Sequence, residues 1–244
     1  PAKGQFMVLA PDIGQGTAVI IRTASHVLLF DAGPQVGPHD DAGRRVVVPV
    51  LQALGVRRLD EVVLSHGDAD HTGGALSVGK AMEVSQWRTT LADEHAVRVA
   101  QNAMPHPPRH VVCQAGQRWE WDGVSFEVLH PDTEELRRRA QLSDNALSCV
   151  VRVASVGRRG TAPRTVLLTG DIEADQEAAL LQRDAGQGHL ASTLLVAPHH
   201  GSRTSSTEPF VRAVAPTTVL IQAGRHNRYG HPARDVVARY VDQG

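Results

Sequence analysis

The chain has 244 residues, 41% apolar and 21% charged, with a formal net charge of −1 at pH 7. That is a globular balance on a length that suits one large α/β domain. It excludes a disordered chain and a global positive field for nucleic acid, so any polyanion must be held by a local patch.

Short β-branched or aliphatic runs predict strands over Gln5–Ala10, Thr17–Thr23 and His26–Asp31, and a helix is predicted over Asp40–Gly55. Leu59–Leu64 reads as a strand, and Leu91–Ala103 has helical spacing that the prolines of MPHPPRH break. His110–Cys113, Gln117–Trp121 and Val124–Leu129 read as consecutive strands, with a helix over Thr133–Leu142 carrying Arg137-Arg138-Arg139 on a solvated face. The second half continues with strands Leu147–Ala154, Thr165–Leu168, Thr193–Val196 and Thr218–Gln222. Helices are predicted between and after them, over Glu173–Gln182, Glu208–Val214 and Pro232–Val241. GRRGTAPR (157–164) reads as a polar hairpin-like loop inside one domain. Strands in both halves with helices interspersed predict two sheets packed face to face with helices outside.

No apolar run reaches bilayer-spanning length. Cys113 and Cys149 form no CxxC pair. Two buried free thiols are the expectation, with one disulfide open if the domain faces an oxidising compartment.

Three strand ends carry chemistry. LSHGDADHTGG (64–74) follows a strand and packs His66, Asp68, Asp70 and His71 into six residues, with glycines that allow a tight loop. Ligand types at i, i+2, i+4 and i+5 can face two neighbouring centres. LLTGD (167–171) ends a strand with a carboxylate, and APHHGS (197–202) ends another with paired histidines. Taken singly, Asp171 reads as a helix cap and His199 and His200 as turn residues. Together with the first loop they read as one metal site at converging strand ends.

An HxDxDH loop, a strand-terminal GD and a strand-terminal HHGS resemble the metallo-β-lactamase superfamily of binuclear metal hydrolases. Asp31-Ala-Gly33 matches that superfamily's first motif. DIGQG (12–16), SDNALS (143–148), HHGSRTSS (199–206) and NRYGHP (227–232) narrow the likeness. The combination resembles the C-terminal β-lactamase-like domain of ComEC-type DNA-internalisation competence proteins, from about Phe6 onward.

The resemblance implies an α/β four-layer αββα sandwich of two mixed sheets, one domain over 1–244 excised from a larger membrane protein. It implies that His66, Asp68 and Asp171 hold one metal, and Asp70, His71, Asp171 and His200 the other. The place of a further histidine is taken by Asp144 or Asn145, either a ligand to the first metal or a phosphate contact. His130 reads as structural. Asp12 and Asp31 are expected to orient ligands from behind. Asp70, His199 and His231 are the catalytic candidates, His199 or His231 to contact phosphate or protonate the leaving oxygen. His231 reads equally well as a cap before the Pro232 helix.

Asp68 puts a hard oxygen where a zinc-type motif carries an imidazole, so two divalent ions are expected, Mn²⁺ favoured and Zn²⁺ or Mg²⁺ also fitting. The implied activity is metal-dependent phosphodiester hydrolysis of DNA, single-stranded or duplex, that degrades the strand not imported. Arg203, Arg225 and Arg228 are the candidate DNA contacts. A small-molecule phosphodiesterase or other hydrolase on the same fold, and a non-catalytic DNA-guiding module with a degenerate metal site, are the alternatives. The implied partners are the membrane-channel part of the same polypeptide and other competence machinery. The implied location is the bacterial cytoplasmic membrane, on its extracytoplasmic face.

Overall fold

Aliphatic residues alternate along the strands and divide them between an inner core and two outer ones. A computed structural model describes residues 1–157 and 163–243, so the expected polar loop over 157–164 lies mostly outside the described residues. The first half lays down β1 (Met7–Leu9), β2 (Val19–Arg22) and β3 (Val27–Phe30) as antiparallel neighbours. A short ribbon pairs β4 (Gln35–Gly37) with β5 (Asp40–Asp41), and a wide turn over Gly43–Val47 runs into α1 (Val48–Ala53). Then come β6 (Arg58–Leu59), β7 (Glu61–Leu64), α2 (Ala69–Thr72) and α3 (Ala75–Ala81). β8 (Glu83–Val84), β9 (Trp87–Thr89), α4 (Ala96–Asn102) and β10 (His110–Val112) complete the half. Six strands form one sheet in the order β1-β2-β3-β7-β9-β10, parallel from β3 onward.

The second half runs β11 (Arg118–Trp121), β12 (Val124–His130), α5 (Thr133–Arg137), β13 (Val150–Ser155) and β14 (Thr165–Leu168). It ends with α6 (Ala174–Asp184), β15 (Leu194–Val196), α7 (Glu208–Val214), β16 (Thr218–Leu220) and α8 (Arg234–Asp242). Its sheet keeps chain order from β11 to β16, antiparallel up to β14 and parallel beyond.

Ile21, Leu28, Phe30 and Val63 point inward and meet Phe126, Val151, Val153 and Leu168 of the second sheet. Their strand neighbours Ile20, Leu29 and Val62 point outward under Leu51 of α1 and Val78 of α3. On the opposite side Val150, Leu167 and Leu195 pack under Leu180 of α6 and Phe210 of α7. Four layers result, and each such side chain contributes about 1.5–3 kcal/mol by leaving water. β3, β7, β14, β15 and β16 all end at the same edge, where loops meet beyond the strands' C-termini.

Several expectations need correction. The helix expected over Asp40–Gly55 is present from Ala42 to Ala53, as a wide-wound stretch over Gly43–Val47 continuous with α1. Asp41 Oδ1 caps its start by accepting the Arg44 N–H at 2.8 Å, and at this end only Asp40 and Asp41 depart from the expectation, by pairing as β5. α4 begins only at Ala96, where His95 Nδ1 accepts the Val97 N–H at 3.3 Å as its cap. α5 stops at Arg137, short of the expected Leu142. α3 and β9 were not predicted, since three glycines (73, 74 and 79) and one turn of mixed polarity mask their periodicity.

The expected free thiols are also corrected. Cys113, just after β10, and Cys149, just before β13, are joined as a disulfide with their Cα atoms 6.0 Å apart. Each is fully buried in the core between the sheets. The bridge therefore ties one sheet to the other.

Candidate metal centre

Three imidazoles are fixed from behind by their Nδ1 atoms. Asp31, fully buried at the end of β3, accepts the Ser65 N–H and the Ser65 hydroxyl, each at 2.7 Å. Its Oδ2 also takes the His71 Nδ1–H at 2.7 Å. With the hydroxyl proton so committed, Ser65 Oγ accepts the His66 Nδ1–H at 2.9 Å. The Gln222 carbonyl beyond β16 accepts the His200 Nδ1–H at 2.9 Å. The network thus assigns one tautomer to all three rings.

Their Nε2 atoms then present lone pairs, and these converge. His71 Nε2 lies 3.1 Å from Asp171 Oδ1 and 3.2 Å from His200 Nε2. His200 Nε2 lies 3.2 Å from Asp70 Oδ2 and 3.4 Å from Asp171 Oδ2. His66 Nε2 lies 3.5 Å from Asp68 Oδ2 and 4.0 Å from Asp171 Oδ2. His66 Nε2 and Asp171 Oδ1 are buried with no hydrogen-bond partner. Lone pairs and carboxylate oxygens this close repel unless positive charge lies between them. The donors therefore fit divalent cations, in two overlapping groups, His66–His71–Asp171 and Asp70–His71–His200.

The same field acts on protons when no metal is bound. Burial pushes His71 down, but Asp171 and Asp31 overcome it and hold the ring well above its ordinary range. Burial likewise opposes charge on His200, and its bonds to Asp171 and Asp70 raise it to about 9. Asp70 is held at about 2, where burial is outweighed by the bond to His200 and the charges of His71 and His200. Asp171 stays well below the usual carboxylate range, His71 and His200 outweighing its burial. The bond to His66 lowers Asp68.

Backbone shape aims these groups. His199 and His200 adopt left-handed φ values of 51° and 54°, a conformation that costs of order 1–3 kcal/mol per residue and turns the pair back over the strand ends. Buried Glu177 accepts the Ser206 and Thr207 N–H groups and so holds the far end of HHGSRTSS. Asp171 N–H donates to Ser148 Oγ at 3.0 Å. Gly16 lies so close to the Asp70 carbonyl that an added Cβ would meet it at 2.2 Å, and Thr17 N–H donates to that carbonyl at 3.1 Å.

Of the predicted residues, His66, Asp68, Asp70, His71, Asp171 and His200 are brought together, with Asp31 behind His71. His199 joins them, its Nε2 at 3.8 Å from Asp171 Oδ2 and its Nδ1 at 3.1 Å from Thr204 Oγ1. His231 lies one ring further out, 5.7 Å from the His199 ring, and burial with positive neighbours lowers its affinity for a proton. Exposed Asp144 packs on Gly67, where a Cβ would lie 2.4 Å from its Oδ2, on the rim beside Asp68. Asn145 starts a short helical turn. Asp12 does not support a ligand: it is exposed and accepts the Gly14 N–H of its own turn at 3.1 Å.

The arginines separate. Arg228 lines a cleft of about 550 Å³ with Asp68 and Asp70, whereas Arg225 lines a different hollow with Asp12, and Arg203 pairs with Asp235 at 3.0 Å. His130 is structural, donating from Nδ1 to the Ser148 carbonyl at 2.7 Å. Ser65, Ser148 and Gln222 were not singled out from the sequence, because neutral hydroxyls and amides carry no ligand signature. Gln222 also bonds Pro11 and Ala18 through its side chain, fastening the DIGQG loop to the strand that holds His200.

A family model described as the metallo-β-lactamase superfamily matches residues 11–137. The chain belongs to the metallo-β-lactamase superfamily. Members of that superfamily are in general metal-dependent hydrolases, as the donor set here would suit. The chain is similar to Competence protein ComA of Neisseria gonorrhoeae, 39% identical over 99% of this chain and 30% of that protein. It is also similar to Recombination protein 2 of Haemophilus influenzae, 31% identical over 98% of this chain and 27% of that protein. The chain thus spans under a third of the length of these curated relatives. The metallo-β-lactamase fold protein YhfI of Bacillus subtilis shares the fold, with a TM-score of 0.58 at 14% identity over 98% of this chain and 93% of that one. Among the described residues no helix is long and apolar enough to cross a membrane.

Proposed function

We propose that this domain is a divalent-metal-dependent phosphodiesterase that cleaves DNA during uptake by a competent bacterium and degrades the strand that is not imported. The observation that carries the reading is the convergence of three imidazole Nε2 atoms with Asp68, Asp70 and Asp171 beside an open cleft. The similarity to proteins named for competence and recombination supports DNA as substrate. His66, Asp68 and Asp171 would hold one ion, and Asp70, His71, Asp171 and His200 the other. Bound there, two divalent ions supply an acidified water and positive charge for the phosphoryl oxygens. Three carboxylates against three imidazoles favour Mn²⁺.

The chain's own residues do the rest. Asp31 and Ser65 hold His71 and His66 in register, and the Gln222 carbonyl holds His200. His199, anchored through Nδ1, turns Nε2 toward Asp171 and would serve the phosphate or the leaving oxygen. His231 is the lesser candidate for the proton, since its surroundings favour the neutral ring. Arg228, which lines the cleft beside Asp68 and Asp70, would meet the phosphate backbone. The disulfide supports an oxidising compartment, in keeping with the extracytoplasmic face of the cytoplasmic membrane and a channel supplied by the rest of the polypeptide.

Purified protein with Mn²⁺ should cut DNA, and Asp70→Ala or His200→Ala should lower the rate more than about 100-fold, beyond the usual cost of losing a supporting residue. Failure to cut any form of DNA with any divalent ion sinks the proposal.

A further inference from the structure

Tyr229 is the only large aromatic side chain that stands exposed among the described residues, at 55%. It lines the same cleft as Asp68 and Asp70, with Gln15, Asn227 and Arg228. Its place is built. Asn227 Oδ1 accepts the N–H groups of Tyr229 at 3.1 Å and His231 at 3.0 Å. Asn227 Nδ2 donates to the carbonyls of Gly224 at 2.8 Å and His231 at 2.6 Å. The amide is thus spent on holding the turn that carries Tyr229 outward.

Behind Tyr229 the His231 ring lies nearly parallel, 5.8 Å away at 12°, and His231 in turn lies 6.4 Å from the His200 ring. A ladder of rings therefore leads from a ligand of the metal centre to an exposed aromatic surface. The exposed Arg228 guanidinium lies over the Tyr229 ring, 4.8 Å from its centre, and donates to Tyr229 Oη at 2.7 Å. A base that stacks on that face displaces this surface side chain and leaves its charge beside the strand. In the other direction the cleft passes Gln35 into a hollow of about 620 Å³ lined by His39, Arg44 and Lys80. The two hollows share Gln35 in their lining, and the second sets Arg44 and Lys80 against a single carboxylate, Asp41. That arrangement suits a polymer reaching both better than a small diester.

We propose that Tyr229 stacks an unpaired base of a single strand beside the metal loop, with the strand's further phosphates running toward Arg44 and Lys80. Inside a duplex each base is covered by its neighbours, so only an unstacked base can lay its face on the ring. The proposal rests on the phosphodiesterase reading for its substrate but is tested by binding.

The probe is a phosphorothioate oligothymidylate of about ten nucleotides, compared with oligomers carrying one abasic site at each position in turn. Wild-type protein should bind the intact oligomer about 10-fold more tightly than the oligomer lacking the stacked base. Tyr229→Ala should erase that difference, and Tyr229→Trp should keep it. Equal affinity of the wild type for every oligomer, or discrimination that survives Tyr229→Ala, overturns the proposal. Wild-type protein that discriminates but hydrolyses neither DNA nor methyl p-nitrophenyl phosphate refutes the enzymatic reading and leaves the stacking site standing.

Discussion

Reducing the Cys113–Cys149 bridge tests how the two sheets are held over the centre. The cysteines are 36 residues apart, and closing a loop of that length removes about 4 kcal/mol of entropy from the unfolded chain at 25 °C. Free thiols behave as small apolar groups, so the packing between the sheets changes little and the loss is mainly this constraint. For a domain of this size each 1 kcal/mol moves the midpoint by about 2–4 °C, so reduction should lower Tm by about 8–16 °C. The loss should reach the centre as well, because Cys149 N–H donates to the Ser65 carbonyl at 2.8 Å and Ser65 carries His66. Calorimetry with and without a phosphine reductant, followed by metal titration, reads both effects. Two titratable thiols in the unreduced, denatured protein, or a Tm indifferent to reductant, would show that the bridge does not hold the sheets together.

Replacing Asp31 by Asn removes the charge that gathers three donors, and metal affinity should fall about 10–100-fold by isothermal titration; an unchanged affinity contradicts its role. In metal-free protein the raised His200 contributes stability that is fully present below pH 6.5, its unfolded value, and is lost as pH rises through about 9. Metal must displace the same proton, so apparent metal affinity should climb over that window, and flat profiles of apo Tm and affinity would count against the geometry. Gly16→Ala places a Cβ 2.2 Å from the Asp70 carbonyl at a φ of 134°. It should cost about 1–3 kcal/mol of stability by chemical denaturation and lower metal affinity with it. Gly14→Ala, with open space around it, should cost less, and equal losses would show that contact with Asp70 is not the cause.

The sequence made the metal loop legible because ligand-type residues are rare enough that six of them at strand ends stand out. Short aliphatic strands in both halves with helices between them likewise predicted two packed sheets, and the structure sends the neighbours Ile20 and Ile21 to opposite faces of the first one. The supports were not legible. Ser65, Ser148 and Gln222 act through single hydroxyl or carbonyl oxygens that any loop contains. In DIGQG the aspartate drew attention, yet Gly16 is the residue that meets Asp70, a steric fact with no chemical signature. The pairing of Cys113 with Cys149 depends on two strands meeting across the core, and their spacing along the chain says nothing of that distance. α3 was hidden because tight packing of Gly73 and Gly74 against Gln35, Ala32 and Gly43 demands glycines that read as breakers.

The most direct test of the account is anomalous scattering from crystals grown with Mn²⁺. Two peaks are predicted, one among His66, Asp68 and Asp171 and one among Asp70, His71, Asp171 and His200. Crystals with no peak at these side chains, although metal is bound elsewhere, would contradict it.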